Sequence, residues 1–388
     1  MRILHVINST TPTGGGPIES IIQANRVLSA QGHVFEIVCV DTPDSPWLSD
    51  LPIKTTALGP ARGKYRYSPR LLPWLRREAH RFDCVIVHGI WLHPSLAVWS
   101  ALRGSSIPYF VYVHGLLDPV FRQVFPLKHL YKTLSWKLVE RRIVRDAQAV
   151  FFTCEEERNL AARSFKPYQV NAAIVPYCVG EPPGDPEVQK RAFLSRFPEL
   201  HAKRSMLFLS RLHPKKGCDL LLSAFAQFAA ADPALHLVMA GPDSVGWRKS
   251  LEQEARSVGI EGRISWTGML SGDLKWGAFR SAEVFVLPSH QENFGIAVVE
   301  ALACGTPVLI SKRINIWREI ADDRAGLVEE DSLAGTKALL RKWLGLSQTE
   351  FNGTRKRALA CFAKRFQSEK AAETLLRALG NRNPPYVG

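Results

Sequence analysis

The stretch Val284–Ser311, VFVLPSHQENFGIAVVEALACGTPVLIS, limits the possible folds more than any other part of the chain. Val284 to Leu287 is an apolar run as long as a buried parallel strand, and Pro288 ends it. A polar loop carrying Glu292 follows. Asn293-Phe294-Gly295 then turns the chain into a helix on which Ile296, Val299, Glu300 and Ala303 recur at helical spacing. Gly305 suits the position just past a helix end, and Pro307 prevents continuation. Val308-Leu309-Ile310 opens a second buried strand. In such a unit the loop after the first strand lies at the carboxyl edge of a parallel sheet, where α/β proteins bind ligands. The amides of Phe294, Gly295 and Ile296 are expected as helix N-terminal donors for an anion. Glu292 and Glu300 flank that position. A carboxylate can accept two hydrogen bonds from a vicinal diol, although an ordinary helix with two solvated acids carries the same residues.

Similar units recur along the chain. Expected strands are Ile3–Ile7, Val34–Val40, Cys84–Val87, Phe110–Val113, Val150–Thr153 and Ala173–Val175, and then Met206–Leu209, Leu235–Ala240 and Ile264–Thr267. A segment rich in proline and glycine, from Pro176 to Pro186, separates the two series. Asp41 to Pro60 reads as a loop. Strands alternating with helices in a chain of 388 residues predict two doubly wound α/β domains, 1–180 and 181–365. Gly14-Gly15-Gly16-Pro17 follows the first strand and opens a helix, as a phosphate-binding turn would. Its spacing fits neither the dinucleotide fingerprint nor a P-loop, and a plain turn with positive φ is the other reading. His88, with Trp91 three residues on, and His114, with Asp118 four residues on, each end a strand of the first half. Arg211 and Lys216 lie five apart after the first strand of the second half, able to straddle a diphosphate.

Glu292-x7-Glu300 followed by ALACGTPV resembles the signature of retaining glycosyltransferases of family 4. Arg211-x4-Lys216-Gly217, the glycine turn near Gly15 and Gly16, and His114 match that family's pattern as well. HGLLDP, His114 to Pro119, is similar to the HGMLxP of its polysaccharide-assembly branch. The resemblance implies a GT-B fold, with two Rossmann-like domains facing across a cleft and a last helix, 366–388, packing back on the first. It implies a nucleotide-diphosphate sugar held by Gly15, Gly16, Arg211, Lys216, Asn293, Phe294, Gly295, Ile296 and Glu300. Glu292 would orient the sugar, Glu300 would hold the ribose, and His114 would line the reactive face. His114, Glu292, Arg211 and Lys216 are therefore the expected catalytic set. His88, Trp91 and Asp118 are candidates for the acceptor side. The family retains anomeric configuration by same-face attack, with the departing phosphate taking the acceptor proton. No Asp-x-Asp motif is present, so no metal or cofactor is implied, and cations with helix amides would stabilise the leaving diphosphate.

The formal charge of +14 suggests an anionic partner. Basic residues gather in 61–81 and 121–145, each with interleaved aromatic residues. These stretches fit a surface for a polyprenyl-diphosphate-linked saccharide acceptor at an anionic membrane, or a solvated helix face. Nucleic-acid binding would explain the charge but leaves Glu292 and Glu300 repelling phosphates. A GT-B epimerase would share the fold but calls for a carboxylate pair in place of the Arg–Lys set. Seven scattered cysteines, without zinc spacing, read as buried thiols of a reducing cytosol. Met1-Arg2 leads straight into a strand, and no apolar run approaches the length of a membrane span. The expected location is the cytoplasm or the inner face of the membrane.

Overall fold

A computed structural model of the chain describes residues 1–12, 15–120 and 126–380. The chain divides into two compact units. One comprises Met1–Val179 with the C-terminal segment from Ser368, and the other Gly180–Gln367.

The first unit is built on a parallel sheet of β1 (Arg2–Ile7), β2 (Val34–Cys39), β3 (Lys54–Ala57), β4 (Cys84–His88), β5 (Tyr109–Tyr112), β6 (Ala149–Phe152) and β7 (Ala172–Ile174), in the order β3-β2-β1-β4-β5-β6-β7. The central strands are mostly apolar because both faces are covered. Leu4, Val6, Val85, Val87, Val111 and Val150 pack on one side, and Ile3, Ile86, Phe110 and Phe151 are equally buried. The strand order reverses between β1 and β4. There the carboxyl ends are in register, Ile7 beside His88 and His88 beside Tyr112. The helix Gly16–Ser29 starts on Gly15, at φ 74°, with Pro17 in its first turn. The last helix, Ser368–Gly380, packs against it. Residues 381–388, over which that helix was expected to continue, lie outside the described residues, as does Gly14.

The second unit holds β8 (Arg204–Leu209), β9 (Leu235–Ala240), β10 (Ile264–Gly268), β11 (Val284–Leu287), β12 (Val308–Ser311) and β13 (Gly326–Glu329), all parallel, in the order β10-β9-β8-β11-β12-β13. Its order reverses between β8 and β11. The helix after β11 runs Ile296–Ala303 and stops before Gly305, at φ 69°.

Several expectations change. β3 lies within the segment read as a loop, and β13 carried no signal. Both are edge strands, half-buried and without a long apolar run. Glu157, in the first turn of the helix Glu155–Ala161, is buried, its carboxylate accepting from the Thr153 amide and hydroxyl and from the Gly115 amide. In the basic stretch 121–145, residues 121–125 lie outside the described residues. A helix spans Pro126–Ser135, a π-helical turn Trp136–Glu140, and a helix Arg141–Arg145. Trp136, Glu140, Ile143 and Val144 face the core. Leu130, Tyr131, Leu134 and Leu138 face outward, from 57% to 76% exposed. The described apolar residues of this stretch therefore form two faces, of which one is core. All seven cysteines are buried and free.

Gly241 fixes the end of β9 against the turn after β8. It sits at φ 140°, and a Cβ there would lie 1.8 Å from the Ser210 carbonyl oxygen. Gly241→Ala is expected to cost at least about 1–3 kcal/mol through backbone strain, and more as Ser210 and Arg211 are displaced. Gly262→Ala, with open space around the added methyl, is expected to be near neutral. Urea unfolding of the two variants checks the contrast.

Candidate functional site

The residues singled out in the second half converge on the carboxyl edge of its sheet, at the reversal between β8 and β11. This is the place where open α/β sheets hold ligands. Arg211 follows β8 and is exposed. The next turn, Pro214–Lys216, is capped by the His213 ring, whose Nδ1 accepts from the Lys215 amide at 3.1 Å. It closes on Gly217 at φ 68°, where a Cβ would fall 2.3 Å from the Pro288 carbonyl oxygen. The loop after β11 is fastened to this turn through one acceptor. The Lys215 carbonyl takes the His290 amide at 2.8 Å and the Ser289 hydroxyl at 2.8 Å. On its other side the Glu292 amide donates to Arg313 at 3.0 Å, and the Glu292 carbonyl accepts from the Asn315 amide at 3.1 Å.

These ties bring the Lys216 ammonium onto the Glu292 carboxylate in a direct ion pair. Sequence reasoning assigned the two residues to different parts of a ligand, whereas here they hold each other. Gly295, at φ 75° and ψ 61°, turns the chain into the helix, and Ile296 is the first helical residue. A Cβ on Gly295 would press on Ile314 at 3.1 Å and on Val298 at 3.2 Å, and with its positive φ the turn beside Glu292 favours glycine. Asn293 meets Asn315 side chain to side chain at 3.4 Å. The Phe294 side chain is buried, edge-on to Phe366. It anchors the turn, which leaves its backbone as the part at the helix start. Glu300, one turn into the helix, is paired with Lys275 at 2.8 Å, and that ammonium also rests over the Trp276 ring at 4.1 Å. Lys275 was not singled out in the sequence. It stands 25 residues before its partner on the helix Gly272–Ser281, and no spacing rule links the two.

In the first unit the candidates line the carboxyl edge of β1, β4 and β5. Gly15 and Gly16 start the helix after β1. His88 ends β4, and the loop beyond it carries Trp91 at φ 72°, unusual for a residue other than glycine. The Trp91 Nε1–H donates to the Leu116 carbonyl at 3.1 Å, its ring lies against Phe165, and the Lys132 ammonium sits 4.8 Å above it. Trp91 is thus a packed hinge of two loops. His114 follows β5 at φ 51°. Its Nδ1 is 2.6 Å from the Tyr177 hydroxyl and its Nε2 is 3.0 Å from His88 Nδ1. The Asp118 carboxylate accepts from the Val120 amide at 2.8 Å and so shapes its own turn. Among the described residues, no group of three His, Cys, Asp or Glu side chains is arranged to hold a metal.

The arrangement in the second unit offers cations, carboxylates and a helix start within one strand edge. That is a set for an anionic ligand that also carries hydroxyls.

Comparison with known proteins agrees with these observations. The model for glycosyl transferases group 1 matches residues 191–350, and the model for a glycosyl transferase 4-like domain matches residues 15–178. The D-inositol 3-phosphate glycosyltransferase of Geodermatophilus obscurus is 27% identical over 94% of this chain and 84% of its own length. Among solved structures, HepE of Anabaena, in complex with UDP and glucose, superposes with a TM-score of 0.76 at 17% identity, covering 98% of this chain and 99% of its own. The sucrose-phosphate synthase of Thermosynechococcus elongatus superposes with a TM-score of 0.76 at 19% identity, covering 97% and 98%. With motifs at the strand edges, both sheets and matched domains in agreement, the chain belongs to the group 1 glycosyltransferases of GT-B fold, enzymes that transfer a sugar from a nucleotide sugar.

Proposed function

We propose that this enzyme moves a hexosyl group, with retention, from a nucleotide-diphosphate sugar to a saccharide or lipid-linked saccharide in cell-surface polysaccharide synthesis. The observation that carries the donor half is the Lys216–Glu292 pair beside Arg211 and the Ile296 helix start. Arg211, Lys216 and the amides from Phe294 to Ile296 would hold the diphosphate and meet the charge that grows on it as the glycosidic bond breaks. Glu292 would then bind sugar hydroxyls, and Glu300 the ribose. Binding thus exchanges an internal ion pair for two ligand contacts, and the Lys275 ion pair aims Glu300. His114 belongs to the reacting centre, with Trp91, His88 and Asp118 supporting the acceptor side.

The acceptor half rests on Leu130, Tyr131, Leu134 and Leu138, which stand exposed on one helical face beside the exposed Lys137, Arg142 and Arg145. An apolar stripe edged with cations suits the surface of an anionic bilayer, where a polyprenyl-linked acceptor resides. No described helix is long and apolar enough to cross a membrane. Of the cations that 121–145 offered, Lys132 is turned to Trp91, Arg141 reaches Gln169, and the Lys128 side chain lies outside the described residues. A second reading is favoured by the whole-length relative, whose name specifies a phosphorylated polyol acceptor. A panel of nucleotide sugars with detection of released diphosphate, run with a polyprenyl-diphosphate saccharide and with inositol phosphate, separates the two. Turnover with inositol phosphate alone would replace the lipid-linked reading.

Two outcomes follow for the donor site. Lys216→Ala loses a charge-assisted contact worth roughly 1.5–3 kcal/mol, so nucleoside diphosphate affinity by calorimetry should fall about ten- to a hundredfold. Glu292→Gln removes the competitor for Lys216. It should tighten binding of the sugar-free nucleoside diphosphate while lowering kcat, because the contact to the sugar is lost. Weaker diphosphate binding in that variant would mean that the ion pair does not compete with the ligand.

For the membrane stripe, magnitudes rank the contributions. Fully burying a leucine side chain is worth roughly 1.5–3 kcal/mol, against about 1 kcal/mol for a basic residue near an anionic surface. Replacing Leu130, Leu134 and Leu138 with serine should therefore weaken vesicle flotation more than replacing Lys137, Arg142 and Arg145 with glutamine. Only the loss in the second set should grow at low salt, where the wild-type charges act most strongly. Flotation that is equally absent for wild type and both sets would make the stripe a plain solvated face.

A further inference from the structure

Three histidines from three adjacent strand ends form one continuous chain inside the first unit. His5 lies within β1, His88 ends β4, and His114 follows β5. His5 Nδ1 is 2.9 Å from His88 Nε2, His88 Nδ1 is 3.0 Å from His114 Nε2, and His114 Nδ1 is 2.6 Å from the Tyr177 hydroxyl. The His88 and His114 rings lie nearly parallel, 12° apart, and Tyr112 stacks on His114 with its centroid 4.7 Å away. Both ring nitrogens of His114 are thereby engaged within the protein.

The distances give the chain a direction. A heavy-atom separation of 2.6 Å fits an O–H donor, and with the Tyr177 hydroxyl donating to His114 Nδ1 the chain takes one direction. A neutral His114 then carries its hydrogen on Nε2 and donates to His88 Nδ1. His88 in turn donates from Nε2 to His5 Nδ1, and His5 is left with Nε2–H. That last nitrogen is buried and has no hydrogen-bond partner in the protein. The His5 residue borders a cavity of about 20 Å³ lined by Ser20, Val175 and Cys178 among others, enough for one water. Burial disfavours charge along the whole chain. It pushes His88 down to about 3 and holds His5 and His114 well below the ordinary histidine value, with His88 adding to both.

We propose that His88, backed by His5, is a positioning residue for His114: the imidazole chain, given its direction by Tyr177, fixes the His114 ring in one orientation and in the Nε2–H tautomer. The inference rests on the reading that His114 belongs to the reacting centre, and it narrows that role. With both nitrogens engaged, His114 acts as a rigid neutral wall of the site and not as a general base. The strained turn it sits on, with φ 51° at His114 and 76° at Gly115, is held from the other side by Glu157 through the Gly115 amide.

The test joins kinetics to long-range ¹H–¹⁵N spectroscopy of the imidazoles. The wild-type enzyme is expected to show the Nε2–H tautomer at His5, His88 and His114. His88→Phe keeps the ring stack but not the hydrogen bonds. It should lower kcat about ten- to a hundredfold, as loss of an orienting partner does at other sites, with the donor KM within about twofold. His88→Asn, whose amide oxygen can accept from His114 Nε2–H, should recover most of that loss. An Nδ1–H or mixed tautomer at His114 in the wild type would overturn the proposal, even if no variant folds. Equal losses in the Phe and Asn variants, or none in His88→Phe, would overturn it too. His114→Phe tells the two failures apart. Impairment there with none in His88→Phe removes only the positioning role, whereas full turnover in His114→Phe removes the reading of His114 as well.

Discussion

The donor edge of the second unit depends on two loops that touch with no side chain between them. Gly217 meets the Pro288 carbonyl, and the Lys215 carbonyl collects the His290 amide and the Ser289 hydroxyl. Both loops leave adjacent parallel strands, β8 and β11, and a sheet whose order reverses there leaves the gap between them open. A larger residue at 217 would wedge the loops apart, and Lys216 could no longer reach Glu292. The position of the cation is thus a consequence of backbone approach, and the electrostatics follow from it.

That dependence explains why the site is charged but quiet. Lys216 and Glu300 each have a counter-charge at hand, Glu292 and Lys275 respectively. A half-buried ion pair is a modest stabiliser, because desolvation offsets most of the attraction. It is a good placeholder: either partner can be given up to a ligand at small cost, and neither charge is stranded while the site is empty. The first unit solves the same problem differently. There His5, His88, His114 and Tyr177 lie in one hydrogen-bonded row beneath the strand ends. Full burial there disfavours charge.

Much of this was legible in the sequence. β11, the helix after it and Gly305 fall where apolar runs, the Gly295 turn and Pro307 put them, because buried parallel strands leave long apolar words. Arg211, Lys216, Glu292 and Glu300 were found by motif and lie at one strand edge. What could not be read was pairing across the chain. Lys275 follows no periodicity relative to Glu300, and His5 carries no mark in LHVI that would connect it to His88, 83 residues later. β3 and β13 failed for the opposite reason: as edge strands they need little apolar surface, and KTTA spells a loop as well as a strand.

The stretch 121–145 shows where pattern reasoning divides. A basic amphipathic segment with an apolar stripe predicts one buried face, and Trp136, Ile143 and Val144 supply it. Those three are buried, yet Leu130, Tyr131, Leu134 and Leu138 stand exposed. A solvated helix gains nothing from four large apolar residues spaced along one exposed face, whereas lipid removes their surface from water. Composition alone merges the two faces into one signal. The fold separates them, and only the outward one stands exposed.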